Sequence, residues 1–272
     1  MSKLLSRPLL SIALVLVALQ VAAALGAHWL VPYDPLRQSG AARLMAPNAA
    51  HWLGTDQLGR DVLARILFGY RTSLAASVTA VAAALLVGGS IGLISAYRQG
   101  WFDRIAMRLM DVLFAFPVML LAIGIIAVLG PRTASAAIAI AVVYTPIFAR
   151  LLRGPALVIC ESEYVMGAHA IGASDMAILI RHVLPNLASV VLVQTSLLLS
   201  SAILVEASLA FLGLGSQPPT PSLGLMLSEG RNFMFLSPWC ALFAGLAILL
   251  LSFGFNLLGD AVRDTLDPRL RA

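Results

Sequence analysis

Residues 153–186 read RGPALVICESEYVMGAHAIGASDMAILIRHVLPN and form a polar segment between two long apolar runs. Within this polar segment, residues 161–171 predict a helix, because apolar side chains recur there at helical spacing. Gly172 predicts the end of that helix, since glycine readily adopts the left-handed conformation that closes many helices. A protein that only has to reside in lipid needs no such insertion. We therefore interpret the polar segment as a surface on which a soluble partner acts.

The first predicted helix has two different sides. One face carries Tyr164, Ala168 and Ile171. Another side is nearly bare because it carries Gly167 and Ala170, so a partner could pack close to the backbone there.

A second helix is predicted to follow the break. Ser174 suits its N-cap, and Asp175 in its first turn suits the positive end of the helix dipole. Pro185 is predicted to stop this helix after Leu184. Its predicted membrane-facing side consists of Ile178, Leu179 and Val183. An ordinary loop with two surface helices would show the same spacing, so spacing alone leaves both interpretations open.

The composition identifies lipid as the main solvent of this chain. Hydrophobic residues make up 60% of the 272 positions and charged residues 11%, whereas soluble domains carry about 25% charged residues. The net charge of +5 comes from arginines scattered over short loops. This scatter favours membrane topology and anionic headgroups over nucleic acid as the reason for the basic charge.

Apolar runs of roughly 20 residues predict an all-α polytopic membrane protein with six transmembrane helices. The predicted spans are residues 9–30, 74–96, 110–129, 134–151, 187–212 and 239–258. Two prolines, Pro117 and Pro146, are predicted to kink the third and fourth spans. The chain divides into residues 1–72, with the first span and an outer loop, and residues 73–272, a five-helix core that contains the polar segment.

The orientation follows from the distribution of cations. More Arg and Lys residues fall on the side of the polar segment than on the other side, which predicts that the polar segment and both termini are cytoplasmic. Lys3 and Arg7 also resemble the basic start of a cleaved signal peptide. The apolar stretch that follows is longer than the usual signal core, so we expect the first span to be retained.

The loop segments contain further helix signals. From Leu58 the pattern predicts an amphipathic helix on the outer membrane surface, either an interfacial anchor or a docking surface, with an ion pair between Asp61 and Arg65. Ser222 is predicted to cap a short helix that runs to about Phe235. In the second span, Gly88 and Gly92 have the GxxxG spacing that lets another helix approach closely.

Polar residues inside the spans are candidate functional residues. Glu206 is predicted either to form an ion pair with Arg71 or Arg231 or to line a gate or pathway, and Gln194 is a second candidate pathway residue. Asp111 is expected to pair with Arg108, three residues earlier. The two cysteines, Cys160 and Cys240, form neither a disulfide framework nor a metal pattern, and we interpret both as structural.

Within the polar segment, MGAHAIGASDMAILIRHVLP resembles the EAA loop of binding-protein-dependent ABC transporter permeases. Gly172, Ala168 and Leu184-Pro185 match that pattern, whereas Met166, Gly167 and His182 depart from it. The stretches HWLGTDQLGRDVLARILFGYRTSL, FLGLGSQPPTPSLGLML and NLLGDAVRDTLDPRL add to the resemblance. Together they are similar to the permeases of the dipeptide, oligopeptide and nickel C-subunit type.

The resemblance implies a type I ABC importer permease fold in the bacterial inner membrane. It also implies a heterodimer with a homologous B-type permease, two cytoplasmic ATPase subunits and an external solute-binding protein. The EAA helix would then be the coupling helix that inserts into an ATPase groove. The residues to which this role is carried over are Glu163, Gly167, Ala168, Ala170, Ile171 and Gly172.

The sequence predicts no catalytic residue, metal site or cofactor in this chain. It contains no G-x-x-x-x-G-K-[ST] motif, so ATP is expected to bind to partner subunits. We expect a permease subunit for dipeptides or oligopeptides, with nickel or a metallophore as the alternative cargo within the same family.

Two other classes of function are less favoured. An intramembrane enzyme built on Glu206, Asp111 and His169 or His182 would need side chains that the predicted topology places on opposite sides of the membrane. An ion-driven secondary transporter normally has paired inverted repeats, and none is visible in the sequence.

Overall fold

The computed structural model describes residues 8–266, and these residues form eleven α-helices joined by turns. A 3-10 turn at Gly40–Ala42 and a π-helical turn at Leu179–Val183 complete the described part. Lys3, Arg7 and Pro268, which carry predictions about the two ends of the chain, lie outside the described residues. The helices are α1 Pro8–Leu25, α2 Ala27–Leu30, α3 Val62–Arg98, α4 Gly100–Phe114, α5 Val118–Leu129, α6 Thr133–Cys160, α7 Glu163–Ala170, α8 Asp175–Ile178, α9 Leu184–Phe211, α10 Leu223–Arg231 and α11 Trp239–Leu266.

Four helices are long and apolar enough to cross a membrane: α3, α6, the joined α8–α9 helix and α11. The pair α4–α5 passes the same test only as one span that bends by 94°. The apolar part of α1, Leu9–Leu25, is shorter than the length required by the test. The prediction of an all-α polytopic membrane protein is confirmed. The six predicted segments correspond to four spans, one bent pair and the shorter apolar helix α1.

The three predicted proline effects have different outcomes. Pro117 lies at the bend between α4 and α5, so this break is confirmed. Pro146 lies inside α6, which continues past it to Cys160. The predicted stop at Pro185 is wrong, because the chain continues from α8 into α9 through the π-helical turn. Leu184 N–H donates to Leu179 C=O in this turn, and the wider turn accommodates the proline ring without ending the helix.

The predicted boundary at residue 72 falls inside one continuous helix. The sequence suggested a separate amphipathic helix on the outer membrane surface, but that stretch is the first part of α3. Within this stretch Arg65 is fully buried, and Tyr70 is also buried. These side chains pack inside the protein, so the apolar spacing reflects contacts with other helices and not contact with a membrane surface.

Helices α3 and α6 pack closely at the GxxxG spacing. A Cβ atom added at Gly88 would overlap with the backbone oxygen of Thr145, and one added at Gly92 would overlap with the backbone oxygen of Ala149. The two glycines therefore allow direct contact between the backbones of two spans, as their spacing predicted.

Replacement of Gly88 with alanine is expected to destabilise the fold by about 1–3 kcal/mol, because α3 and α6 must move apart to admit a methyl group. Thermal unfolding in detergent would measure the change. The matched control is Gly124→Ala in α5, where an added Cβ meets no atom within 4 Å. Equal unfolding temperatures for the two variants would contradict the close α3–α6 contact.

Candidate functional site

Helix α7 ends in the turn that the sequence predicted. Gly172 has a φ of 85°, and its N–H donates to the C=O of His169 at 3.0 Å. The N–H of Ala173 donates to the C=O of Ala168 at 3.1 Å. These two bonds form a Schellman motif, in which a glycine in the left-handed conformation closes the helix. The break at Gly172 is confirmed.

Helix α7 presents one exposed face and packs the other against the bundle. Val165 is 3% exposed and lies in a buried cluster with Leu152 and Ile178, while Ala168 is also buried. Ile171, predicted to share a face with Ala168, is instead 87% exposed. Of the six predicted coupling residues, all except Ala168 are exposed: Glu163, Gly167, Ala170, Ile171 and Gly172.

The apolar side of the second helix faces the protein interior. Ile178 and Val183 are fully buried in the same cluster as Val165, and Leu179 packs against it. The predicted membrane-facing side is therefore wrong. Periodicity identified an apolar face, but only the fold shows that α3 and α6 cover it.

Hydrogen bonds tie the polar segment to the spans. Ser174 caps α8 as predicted, because its Oγ accepts a bond from the N–H of Ala177 at 3.4 Å. The hydroxyl of Tyr97, near the end of α3, donates to Asp175 Oδ1 at 2.7 Å. Asn186 Nδ2 in α9 donates to the hydroxyl of Tyr164 in α7 at 3.2 Å. A movement of α7 and α8 would therefore be transmitted to both α3 and α9.

The Tyr97–Asp175 bond is expected to contribute about 1 kcal/mol to the attachment of α8, the net value of a typical hydrogen bond. Tyr97→Phe, Asp175→Ala and the double variant form a double-mutant cycle that isolates this pair. The cycle would be measured by thermal unfolding of the purified protein. Strictly additive effects would show that the two side chains do not interact.

Helix α4 is clamped to α6 by two ion pairs. Arg153 Nε and Nη2 donate to the two carboxylate oxygens of Asp103, each at 2.5 Å. Arg150 pairs with Asp111. The predicted Arg108–Asp111 pair is wrong, because the side chain from the neighbouring α6 reaches the carboxylate instead.

The two candidate pathway residues are far apart. Gln194 is half-buried and Glu206 is buried, and the two residues lie twelve positions apart, about 18 Å along α9. Among the described residues, neither carboxylate oxygen of Glu206 has a hydrogen-bond or ion-pair partner. Ser73 of α3 is close enough for an electrostatic interaction with this carboxylate, but it lies outside hydrogen-bond geometry.

The predicted ion pair of Glu206 with Arg71 or Arg231 is absent from the described part of the chain. The guanidinium of Arg231 lies over the ring of Phe211, 5.0 Å from its centroid.

A buried ion cluster of Asp56, Arg60, Arg65 and Glu229 was not foreseen from the sequence. Asp56 Oδ2 accepts bonds from Arg60 Nε at 2.6 Å and from Arg65 Nη1. Glu229 Oε2 accepts bonds from Arg60 Nη2 at 3.0 Å and from Arg65 Nη1 at 2.9 Å. Two cations thus neutralise two anions and join the loop before α3 to α10.

The predicted Asp61–Arg65 ion pair does not form. Asp61 instead caps α3 by accepting a bond from the N–H of Ala64 at 2.8 Å, and its other carboxylate oxygen lies 2.9 Å from His51 Nδ1. The i,i+4 spacing of Asp56 and Arg60 could have suggested part of the buried ion cluster. No local signal could have found Glu229, which is more than 160 residues away in the chain.

The described bundle, together with the short helix α7 that Gly172 ends, has the fold of a type I ABC importer permease. It matches a chain of the inward-facing MetNI methionine ABC transporter with a TM-score of 0.60 and 16% sequence identity. The match covers 75% of this chain and 96% of that chain.

The chain belongs to the family described as the binding-protein-dependent transport system inner membrane component, whose profile matches residues 88–272. It is 47% identical over 257 residues to the glutathione transport system permease protein GsiD of Pectobacterium atrosepticum, covering 94% of this chain and 85% of that protein. It is 46% identical over 256 residues to GsiD of Escherichia coli O1:K1, with 94% and 84% coverage. The chain is therefore a permease subunit of an ABC importer in the inner membrane.

Proposed function

We propose that this chain forms half of the translocation pathway of an ATP-driven importer and that α7 is its coupling helix. The observation that carries the proposal is the two-sided burial of α7. Val165 and Ala168 attach it to the bundle, while the small residues Gly167 and Ala170 leave a free surface beside the exposed Ile171. A groove on an ATPase subunit can approach such a surface closely.

This role places the polar segment and both termini in the cytoplasm, in agreement with the distribution of cations. A homologous permease completes the pathway, two ATPase subunits bind and hydrolyse ATP, and an external solute-binding protein delivers the cargo. The chain itself then carries out no catalysis and needs no cofactor.

Force applied to α7 has two routes into the spans. Val165 packs against Leu152 of α6 and Ile178 of α8, and α8 continues through the π-helical turn into α9. A switch from 1:99 to 99:1 between two states needs about 5.5 kcal/mol of differential binding. One small helix supplies part of this energy, and the coupling helix of the partner permease supplies the rest.

The cargo that we propose is a small peptide, with glutathione as the first candidate. The two GsiD proteins are named for glutathione transport and align with nearly the whole chain. Their names favour this type of cargo over nickel or a metallophore. Selectivity is shared with the solute-binding protein, which binds the cargo before this chain does.

Reconstitution of the complete transporter tests the proposal. Proteoliposomes that contain this chain, its partner permease and the ATPase subunits should take up labelled glutathione only with ATP and the solute-binding protein. Uptake driven by an ion gradient without ATP would overturn the importer mechanism. ATP-driven uptake of dipeptides but not of glutathione would overturn only the choice of cargo.

Replacement of the exposed Ile171 with glutamate is expected to weaken binding of the ATPase by roughly tenfold or more, because a charge enters a docking surface. Stability should change by no more than about 0.5 kcal/mol, since the side chain is solvent-exposed. Co-purification of the ATPase subunits would measure the loss. The matched control is Phe235→Glu, an exposed apolar residue at the opposite end of the bundle. Equal recovery of ATPase with both variants would contradict a docking role for α7.

A further inference from the structure

Helix α4 carries an exposed apolar stripe that the proposed function does not use. Trp101, Ile105, Leu109 and Val112 recur at helical spacing, and each is more than half exposed. At 100° per residue these four side chains fall within about 80° of one another around the helix axis. The stripe is therefore one continuous face that the described part of the chain leaves uncovered.

Two cations run along one edge of this stripe. Arg104 and Arg108 are one turn apart and exposed, and at 100° per residue they lie directly beside the apolar face. Within residues 8–266, Arg104 Nε donates to the C=O of Gly100, one turn earlier in the same helix, and the Arg104 side chain makes no other hydrogen bond there. Both guanidinium groups are free to reach a negatively charged surface.

Helix α4 runs in a different direction from α5, with a bend of 94° between them. Asp103 and Asp111 are eight residues apart on α4, about 12 Å, whereas their partners Arg153 and Arg150 are three residues apart on α6, about 4.5 Å. The long arginine side chains bridge this difference, so the two ion pairs hold about two turns of α4 against α6.

We propose that α4 lies in the headgroup layer of the membrane, on the side of the polar segment, and binds anionic phospholipids. The apolar stripe would enter the upper acyl region, and Arg104 and Arg108 would contact the lipid phosphates. An amphipathic helix with arginines beside its apolar face has the chemistry that such an interface favours. A fully spanning position would instead place both arginines in hydrocarbon, which is unfavourable.

Lipid binding at this site goes beyond the proposed function. Asp103 and Asp111 of α4 pair with Arg153 and Arg150 of α6, close to the end of α6 that leads into α7. Through these ion pairs, lipid bound to α4 would hold α6 in place, and α6 leads into the proposed coupling helix α7.

Quenching of Trp101 fluorescence tests the position of the stripe. The complete transporter is reconstituted in nanodiscs that contain phosphatidylcholine or phosphatidylglycerol brominated near the headgroup. The contribution of Trp101 is the difference between the wild type and Trp101→Phe. We expect brominated lipid to quench this contribution. A contribution that no brominated lipid quenches would show that another protein subunit covers the stripe and would overturn the proposal.

Removal of the two cations tests the choice of headgroup. The variant R104Q/R108Q should lower the preference for brominated phosphatidylglycerol over brominated phosphatidylcholine by roughly tenfold. The control variant R37Q/R132Q removes two exposed arginines at the opposite end of the bundle and should leave this preference unchanged. High salt should lower the preference of the wild type in the same way. An unchanged preference in R104Q/R108Q, or a wild-type preference that salt does not affect, would overturn the role of the arginines.

Discussion

Replacement of Gly172 with valine is expected to lower ATP-driven uptake strongly while the chain remains in the membrane. Gly172 has a φ of 85°, a region that a β-branched residue strongly disfavours. Relief of that strain would break the two hydrogen bonds that close α7. An eight-residue helix has little stability of its own, so α7 would lose its position against the bundle. We expect the rate of coupled uptake to fall by roughly fivefold or more, since strain on the order of 1–3 kcal/mol corresponds to factors of about 5 to 150.

The matched control for this experiment is Gly130→Val. Gly130 has a φ of 83° and, like Gly172, has open space where a Cβ atom would lie. It precedes α6 at the end of the bundle opposite to α7, so the same backbone strain falls outside the polar segment. Uptake and ATP hydrolysis in proteoliposomes, together with the amount of membrane-inserted protein, would be measured for both variants. Similar uptake by the two variants would show that the turn at Gly172 plays no special part in coupling.

Replacement of Arg65 with alanine is expected to lower the free energy of unfolding by about 3–5 kcal/mol. The side chains of Arg65 and Asp56 are both 0% exposed, and Glu229 is 16% exposed. Without Arg65, the single cation Arg60 faces two carboxylates, and one negative charge is left uncompensated inside the protein. The loop before α3 would then detach from α10. Thermal unfolding and the yield of folded protein in detergent would report the loss.

Two further variants make the Arg65 experiment specific. Arg65→Met combined with Glu229→Gln removes one charge of each sign and leaves the Asp56–Arg60 pair intact, so it should recover much of the stability. Arg150→Ala removes a half-exposed ion pair and should change stability by no more than about 1 kcal/mol. If Arg65→Ala lowered stability no more than Arg150→Ala, the buried ion cluster would not stabilise the contact between the loop before α3 and α10.

Sequence signals within a few residues correctly predicted the helix ends and caps that depend only on neighbouring residues. The end of α7 at Gly172 and the caps at Ser174 and Ser222 depend on a few neighbouring residues, and the structure confirms all three. The start of α5 after Pro117 belongs to the same group. These features follow from backbone sterics and from hydrogen bonds within one turn, so they can be predicted without knowledge of the fold.

Predictions that needed a distant partner were wrong or incomplete. Asp61 and Asp111 were assigned partners nearby in the chain, and one of the two alternatives for Glu206 was an ion pair with a cation on the same side of the membrane. In the structure Asp61 lies against His51 and Asp111 pairs with Arg150, while the carboxylate of Glu206 has no partner among the described residues. The partner of a charged side chain depends on which helix packs against it, and helical spacing within one segment does not indicate which helix that will be.

Composition and periodicity alone determined that this chain is a helical membrane protein with a polar insertion whose first helix ends in a glycine turn. A helix that crosses lipid requires an apolar run of roughly 20 residues, and such runs can be recognised directly in the sequence. The tertiary structure decided which face of α7 remains free, that α8 continues into α9, and that four charges form the buried ion cluster. These features depend on contacts between segments that are far apart in the chain, and such contacts exist only once the bundle has formed.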